Sequence, residues 1–309
     1  MKNTIQRALC LTLILCLLAF ALLACDTGKS NDSDNYTTET VSLLSTCHVY
    51  VLNGTQSDLQ EVTFYSYDDF GRCTVQDGPT KRVTRTYDEQ GNLTVTRSES
   101  LQDGQVIATT EARMTYDAAG NQITRDHYRI SDGTETLSGS YTMTYDDQNR
   151  MLEEKDANVI FRYVYSDNNG YTLTETDAGT GELLTTITVV KDAKGNIASE
   201  TTENKETGDT EMYTAVYDEA GNVLSKVYFL NGVELDSFIY EYEQNGDELR
   251  LSRVTTKRDG VEIQHSDYIY TTIDKGYSKV VEVRTPDDIL TRYTIYQYVT
   301  KEIKVKTQS

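Results

Sequence analysis

The chain has 309 residues, with 49 acidic against 29 basic side chains and a formal net charge of −20. A surface this negative repels the phosphate backbone of nucleic acids and anionic lipid head groups, which argues against a DNA- or RNA-binding protein. The length suits one large domain or two smaller ones.

The first 24 residues have the parts of an export signal. Lys2 and Arg7 give a positively charged start, an apolar stretch follows over 8–24, and the letters LLAC end it at Cys25. This ending resembles the lipobox of bacterial lipoproteins. The resemblance implies cleavage before Cys25, lipidation of its thiol, and a protein held by lipid on the extracytoplasmic side of the cell membrane. An ordinary cleaved signal and an uncleaved membrane anchor are the alternatives, because the apolar run is barely long enough to span a bilayer.

The segment after the signal is polar and has no apolar periodicity. Its letters, DTGKSNDSDNYTTET, are rich in Ser, Thr, Asn and Asp. Such composition predicts a flexible tether over 25–40. The domain boundaries that follow are a signal peptide at 1–24, a tether at 25–40 and a β-repeat domain at 41–309.

A short turn unit recurs along the β-repeat domain, and its clearest copy is YDAAGN from Tyr116. Asp117 can accept hydrogen bonds from the backbone N–H groups just ahead of it, and Gly120 supplies the positive φ that closes a type I turn with a bulge. Tyr116 ends the incoming strand, in which Ala112, Met114 and Tyr116 fall on one face. The unit therefore predicts an antiparallel hairpin with one half-buried face.

Further copies follow at intervals suited to two strands and a second turn. They begin at Tyr67, Tyr87, Tyr116, Tyr145, Tyr165, Lys191, Tyr217 and Tyr242. The residues that we expect to shape the best-preserved turns are Tyr87, Asp88, Gly91, Tyr116, Asp117, Gly120, Tyr217, Asp218 and Gly221. Hairpin dipeptides such as Asp103-Gly104 and Asn231-Gly232 lie about midway between copies.

These copies resemble the YD-repeat proteins of the Rhs type. The resemblance covers about 64–270 and is closest at YDEQGNLT, YDAAGNQI and YDEAGNVL. It implies a long antiparallel sheet that spirals into a hollow shell, which often encloses a toxin or presents a binding surface for carbohydrate or protein. The chain departs from the family pattern where Lys191 replaces a tyrosine and where Ser166 and Glu243 replace aspartates.

The predicted fold class is all-β, an elongated and curved antiparallel β-repeat sheet in the form of a spiral or partial barrel. A flat sheet of this size would leave its tyrosine-rich face in water, and strand twist already favours curling. The final strand carries Lys301, Lys304 and Lys306, which is typical of an edge protected from pairing with other chains.

No catalytic motif occurs in the mature chain, so the protein is predicted not to be an enzyme and to need no metal or cofactor. His48, His127 and His265 stand singly. Cys47 and Cys73 could form one disulfide in an exported protein, or could be two unpaired buried thiols.

Tyrosine stacks on sugars and offers a hydroxyl, so an exposed row could bind glycans or peptides. At strand ends, however, tyrosines are more often packing and register devices. The predicted binding residues are therefore tyrosines off that register: Tyr128, Tyr171, Tyr228 and Tyr277.

The functional hypothesis is a membrane-anchored, non-enzymatic surface lipoprotein. Its β-repeat scaffold would bind an unknown protein or polysaccharide at the cell envelope, and no nucleic acid. The alternatives are a structural component that self-assembles through its sheet edges and an envelope hydrolase.

Overall fold

The computed structural model describes residues 36–53, 56–166, 170–246 and 248–306. The predicted signal peptide, the predicted lipidation residue Cys25 and the part of the predicted tether up to residue 35 lie outside these ranges. All regular elements within them are β-strands, and no helix in the described part of the chain could span a membrane. The strands are β1 (Tyr36–Asn53), β2 (Gln56–Tyr67), β3 (Cys73–Asp77), β4 (Lys81–Tyr87), β5 (Leu93–Gln102), β6 (Gln105–Tyr116), β7 (Gln122–Ser131), β8 (Thr134–Tyr145), β9 (Met151–Lys155), β10 (Val159–Tyr165), β11 (Tyr171–Asp177), β12 (Leu183–Lys191), β13 (Ile197–Asn204), β14 (Thr210–Tyr217), β15 (Val223–Leu230), β16 (Val233–Asn245), β17 (Glu248–Arg258), β18 (Val261–Ile273), β19 (Gly276–Arg284) and β20 (Leu290–Lys306).

The sheet is a closed barrel of 20 antiparallel strands. Each strand pairs with the next along the chain, and β1 also pairs with β20 over the register Tyr36↔Lys306 to Val51↔Arg292. The all-β, antiparallel prediction is confirmed, whereas the open spiral or partial barrel is corrected to a closed barrel. The twist of the sheet brings its two ends together. There β1 and β20, which are long strands of 18 and 17 residues, pair with each other and close the barrel.

Closure also overturns the prediction that the last strand is a protected edge. β20 pairs with β19 on one side and with β1 on the other. Its lysines therefore do not shield an open edge. The Lys301 ammonium instead donates to the backbone carbonyls of Tyr67 and Asp68, at 3.2 and 3.0 Å.

The two faces of the sheet differ in exposure. Met114, Met143, Val189 and Ala215 are buried on the face that carries the strand-end tyrosines, whereas Val164, on the opposite face, is 67% exposed. In a closed barrel the crowded face is the concave one, so the tyrosine face lines the lumen. Extensive contacts join only strands that are neighbours in the sheet. Barrels with this many strands are wide enough to keep open space inside, and the tyrosine face is therefore a lining rather than a filled core.

The turn units form one rim of the barrel. Asp117 Oδ1 accepts from the backbone N–H groups of Ala119 and Asn121, at 2.9 and 2.8 Å. Its Oδ2 accepts from the Asn121 side-chain amide at 3.0 Å, and Gly120 has φ +85°. We call this end of the barrel the turn-unit rim. The other end carries the midway turns, where Asp103 and Gly104, at φ 52° and 75°, make a two-residue hairpin turn.

A two-stranded ribbon extends from the turn-unit rim. It consists of the start of β1 and the end of β20, and it bends over the β2–β3 turn. There the Lys304 backbone N–H donates to the Asp69 carbonyl at 2.8 Å, and the rings of Tyr36 and Phe70 lie 5.4 Å apart. Residues 36–40, which the sequence analysis placed in the tether, belong to β1.

Candidate binding site in the tyrosine-lined lumen

The strand-end tyrosines form a hydroxyl ladder around the turn-unit rim. Each of these phenols donates a hydrogen bond to a backbone carbonyl of the preceding strand. In six pairs the carbonyl belongs to the first residue of that strand, directly after the preceding turn unit, and in the Tyr67 pair it lies in β1. The pairs are Tyr67 with Leu44, Tyr87 with Cys73, Tyr116 with Leu93, Tyr145 with Gln122, Tyr165 with Met151, Tyr217 with Ile197, and Tyr242 with Val223. The distances run from 2.6 Å in the Tyr116 pair to 3.0 Å in the Tyr242 pair. These hydroxyls are used structurally, so they are poor candidates for ligand contacts.

The turn units also make this rim acidic. The hydrogen bond from the Asn121 side chain, followed by backbone N–H donors, holds the pKa of Asp117 below its ordinary value. The Asn222 side chain does the same for Asp218. Because hydrogen bonds to a carboxylate favour its charged form, these side chains stay ionised even in mildly acidic solution.

A second group of tyrosines is concentrated on β18, β19 and β20, and we call it the tyrosine wall. It consists of Tyr268, Tyr270, Tyr277, Tyr296 and Tyr298. The rings of Tyr277 and Tyr298 stack with centroids 4.4 Å apart at an interplanar angle of 11°. Burial raises the pKa of each of the five phenols. All five therefore remain protonated, hydrogen-bond-capable groups at neutral pH.

Two cations lie against the rings of the wall. The Lys279 ammonium is 4.5 Å from the Tyr296 centroid and 5.9 Å from that of Tyr298. The Arg250 guanidinium is 5.0 Å from the Tyr270 centroid. Such placements are attractive because a cation interacts with the negative face of an aromatic ring. Burial lowers the pKa of Lys279 from its ordinary value.

The wall tyrosines differ from the ladder tyrosines in their hydroxyls. Among the residues that the structure describes, no protein acceptor receives a hydrogen bond from the hydroxyls of Tyr270, Tyr277, Tyr296 or Tyr298. Half-buried rings, unused hydroxyls and two cations together give a surface that can stack on sugar rings and bind polar or anionic groups.

The four tyrosines predicted to bind a ligand do not form one site. Tyr277 belongs to the tyrosine wall. Tyr171 and Tyr228 line the lumen elsewhere, with Tyr171 5.8 Å from the Tyr163 ring and Tyr228 5.5 Å from the Phe238 ring. Tyr128 lies on the outer face, where the Arg113 guanidinium covers its ring at 4.4 Å.

Sequence reasoning missed Tyr296, Tyr298, Lys279 and Arg250. The Tyr-x-Tyr alternation of Tyr296-Gln-Tyr298 was a signal that two rings share one face. The partners across β19 depend on register, which the sequence alone does not determine.

Cys47 and Cys73 are free and half-buried. Cys47 lies opposite Thr63 on β2, whereas Cys73 lies opposite Tyr67. The thiols are thus separated by two strand spacings and about four residues along the strand, or roughly 16 Å. A disulfide needs Cα atoms within about 7 Å, so this register excludes the bridge and leaves two thiols. Burial raises the pKa of the Cys47 thiol.

No protein-family model matches the chain, and no curated protein matches it. Several solved structures are distantly similar. A porin-like protein from Bacteroides vulgatus has 10% identity and a TM-score of 0.32 over 84% of this chain and 99% of that one. A porin-like protein from Bacteroides uniformis has 13% identity and a TM-score of 0.28, with 84% and 96% covered.

The TcdB2-TccC3 crystal structure has 11% identity and a TM-score of 0.26. The match covers 88% of this chain but only 23% of that one, so this chain spans about a quarter of the TcdB2-TccC3 chain. The Tc holotoxin pore of Photorhabdus luminescens has 12% identity and a TM-score of 0.25. TM-scores this low do not establish a shared fold.

Proposed function

We propose that the protein is a non-enzymatic lipoprotein of the cell envelope whose barrel binds a polysaccharide or an extended protein segment in its lumen. The observation that carries this proposal is the tyrosine wall. Among the described residues, the hydroxyls of Tyr270, Tyr277, Tyr296 and Tyr298 donate to no protein acceptor, unlike those of the ladder. Lys279 adds positive charge beside them, whereas the Arg250 guanidinium is already paired with Glu248 at 2.7 Å.

The position of the start of β1 fits an anchored barrel. Tyr36 begins β1 at the turn-unit rim, and only about ten residues separate it from the proposed lipid on Cys25. A flexible linker of that length has a root-mean-square span of about 18 Å. The turn-unit rim would therefore lie near the membrane, and the opposite rim would open away from it.

The charge pattern limits the ligand. The chain carries a net charge of −20, so a strongly anionic polymer would be repelled at long range and attracted only close to Lys279. A neutral or sparsely charged polysaccharide meets less repulsion, because its rings can stack on tyrosine without a net charge.

A pull-down with envelope polysaccharides and envelope extracts tests the proposal, with salt varied to separate charge effects. The informative variant is the double substitution Tyr277→Phe with Tyr298→Phe, which removes two wall hydroxyls and keeps both rings. We expect binding to weaken by about tenfold, as for the loss of two hydrogen bonds of about 0.7 kcal/mol each.

The matched control is Tyr116→Phe, which removes a ladder hydroxyl at the rim. It should retain wild-type binding. Equal binding by the wall variant and wild type, or equal loss in the wall variant and the control, would contradict a ligand site at the tyrosine wall.

Self-assembly through sheet edges is the second candidate. The closed sheet weakens it, because β1 and β20 pair with each other instead of presenting free edges along the barrel. Light scattering over a range of concentrations distinguishes the two: a binding module keeps a constant mass, and an assembling component grows.

A further inference from the structure

A second cluster lies on the outer face, near the rim opposite the turn units, and it centres on His265 of β18. His265 is 5% exposed and lies between Thr255 of β17 and Arg284 of β19 in the sheet register. Its Nδ1 is 2.9 Å from Glu262 Oε1. Because a carboxylate only accepts, Nδ1 carries the proton, and in the neutral ring Nε2 holds a lone pair.

The other ring nitrogen, Nε2, is buried without a hydrogen-bond partner among the described residues. It faces Asp267 Oδ2 at 3.6 Å and Asp288 Oδ1 at 3.5 Å. These distances are too long for hydrogen bonds. A buried lone pair that faces two carboxylate oxygens is unfavourable unless a positive species lies between them.

The spacing fits a bound cation. The three ligand atoms lie within 4.8 Å of one another. A tetrahedral ion held at about 2.0–2.2 Å separates its ligand atoms by roughly 3.3–3.6 Å, which matches the two distances from Nε2. The Glu262 carboxylate behind Nδ1 is the outer partner that metal-bound histidines commonly have.

Arg253 and Arg284 hold the two aspartates, Asp267 and Asp288, in position. Arg253 Nε donates to Asp267 Oδ1 at 2.6 Å, which leaves Oδ2 directed towards His265. Arg284 Nη1 donates to the Asp288 backbone carbonyl at 3.0 Å and so holds the β19–β20 turn in place. Arg284 stays 3.7 Å from the ligand oxygens of both aspartates, too far to satisfy them with hydrogen bonds.

The local charge also favours a divalent ion. Four carboxylates surround the histidine, those of Glu262, Asp267, Glu282 and Asp288, and Arg253 and Arg284 are the guanidinium groups beside them. The cluster therefore keeps a formal charge of about two negative units, which one divalent cation would neutralise.

We propose that His265, Asp267 and Asp288 bind one divalent transition-metal ion of the zinc class. One imidazole nitrogen and two carboxylate oxygens suit zinc better than calcium or magnesium, which prefer all-oxygen sites. The Asp288 side chain is 73% exposed, so the fourth coordination position opens to solvent and is available to water or to a ligand atom from outside.

Zinc titration of the purified full-length protein, stripped with a chelator and followed by calorimetry and thermal unfolding, tests this site. We expect one equivalent of zinc to bind and to raise Tm, while calcium and magnesium chloride at the same concentration leave Tm unchanged. Failure of wild type to bind zinc would overturn the proposal.

Two substitutions in one exposed turn make the test specific. Asp288→Asn removes a ligand and should weaken zinc affinity at least tenfold, whereas Asp287→Asn, its exposed neighbour, should bind as wild type does. Glu262→Gln should weaken affinity by about 10–100-fold through loss of the outer partner. Equal affinity in Asp288→Asn and wild type would show that zinc binds elsewhere and would overturn the site. Because both turn substitutions leave the buried histidine in place, this comparison does not depend on whether His265 variants fold.

Discussion

The hydroxyl ladder makes a quantitative prediction for Tyr116→Phe. The substitution keeps the ring and removes only the hydroxyl that donates to the Leu93 carbonyl at 2.6 Å. A hydrogen bond of this kind contributes about 0.5–1.5 kcal/mol net. Tyr116 is only half-buried, so water can partly replace the lost donor. We therefore expect the free energy of unfolding to fall by about 1 kcal/mol.

The corresponding shift in Tm is small because the protein is large. An unfolding entropy of about 2.1 cal/mol/K per residue, over roughly 270 folded residues, converts 1 kcal/mol into about 2 °C. Urea unfolding followed by circular dichroism is the better assay, because the midpoint shifts while the slope stays constant. Combining Tyr116→Phe with Tyr145→Phe and Tyr217→Phe should cost about 3 kcal/mol, since separated sites add.

Tyr128→Phe is the matched control for the ladder. Tyr128 lies on the outer face, and the Arg113 cation that covers its ring interacts as well with phenylalanine. Its unfolding free energy should stay within about 0.5 kcal/mol of wild type. If Tyr116→Phe and Tyr128→Phe had the same small effect, the ladder hydroxyls would contribute nothing and the reasoning would be wrong.

Lys191→Tyr restores the strand-end tyrosine missing from the ladder, and its hydroxyl should reach the Tyr171 carbonyl and stabilise the protein by up to about 1 kcal/mol in urea unfolding; destabilisation would contradict this geometry. Burial raises the pKa of Tyr67 to about 12 from an ordinary value of 10.0. The folded state therefore favours the protonated phenol, and the stability that this phenol contributes is complete below pH 10 and is lost as pH rises through 12. Alkaline titration should show phenolate absorbance lagging behind that of the unfolded chain, and coincident curves would refute it. Cys47 and Cys73 should both react with a thiol reagent when the protein is unfolded without reductant, and the free energy of unfolding should be the same with and without reductant. Failure of both thiols to react would show that they form a disulfide.

The turns were predictable because their chemistry is local. Asp117, Asn121 and Gly120 lie within five consecutive positions, and the hydrogen bonds that define the turn form between neighbours in sequence. The strands follow for the same reason, since alternation along the chain reports the two faces of a sheet. An all-β, antiparallel protein could therefore be inferred from the sequence.

Closure and the candidate sites could not be inferred in this way. Whether β1 meets β20 depends on twist and shear accumulated over every intervening strand. The stack of Tyr277 on Tyr298 depends on the register between β19 and β20, which a bulge at Val283/Arg284 shifts. His265 stood alone in the sequence because Asp288 comes from the β19–β20 turn, 23 positions further along the chain.

The pairing of the first strand with the last has a consequence for biogenesis. Tyr36 pairs with Lys306, so the barrel cannot close until the chain has been synthesised through β20. Closing a loop of about 260 residues costs roughly 5 kcal/mol in chain entropy, and contacts this distant form slowly. Until β20 is available, β1 keeps one edge unpaired, and a chain that stops short of β20 would keep two open edges prone to aggregation and proteolysis. Formation of the β1–β20 pairing thus distinguishes a closed barrel from an aggregation-prone fragment.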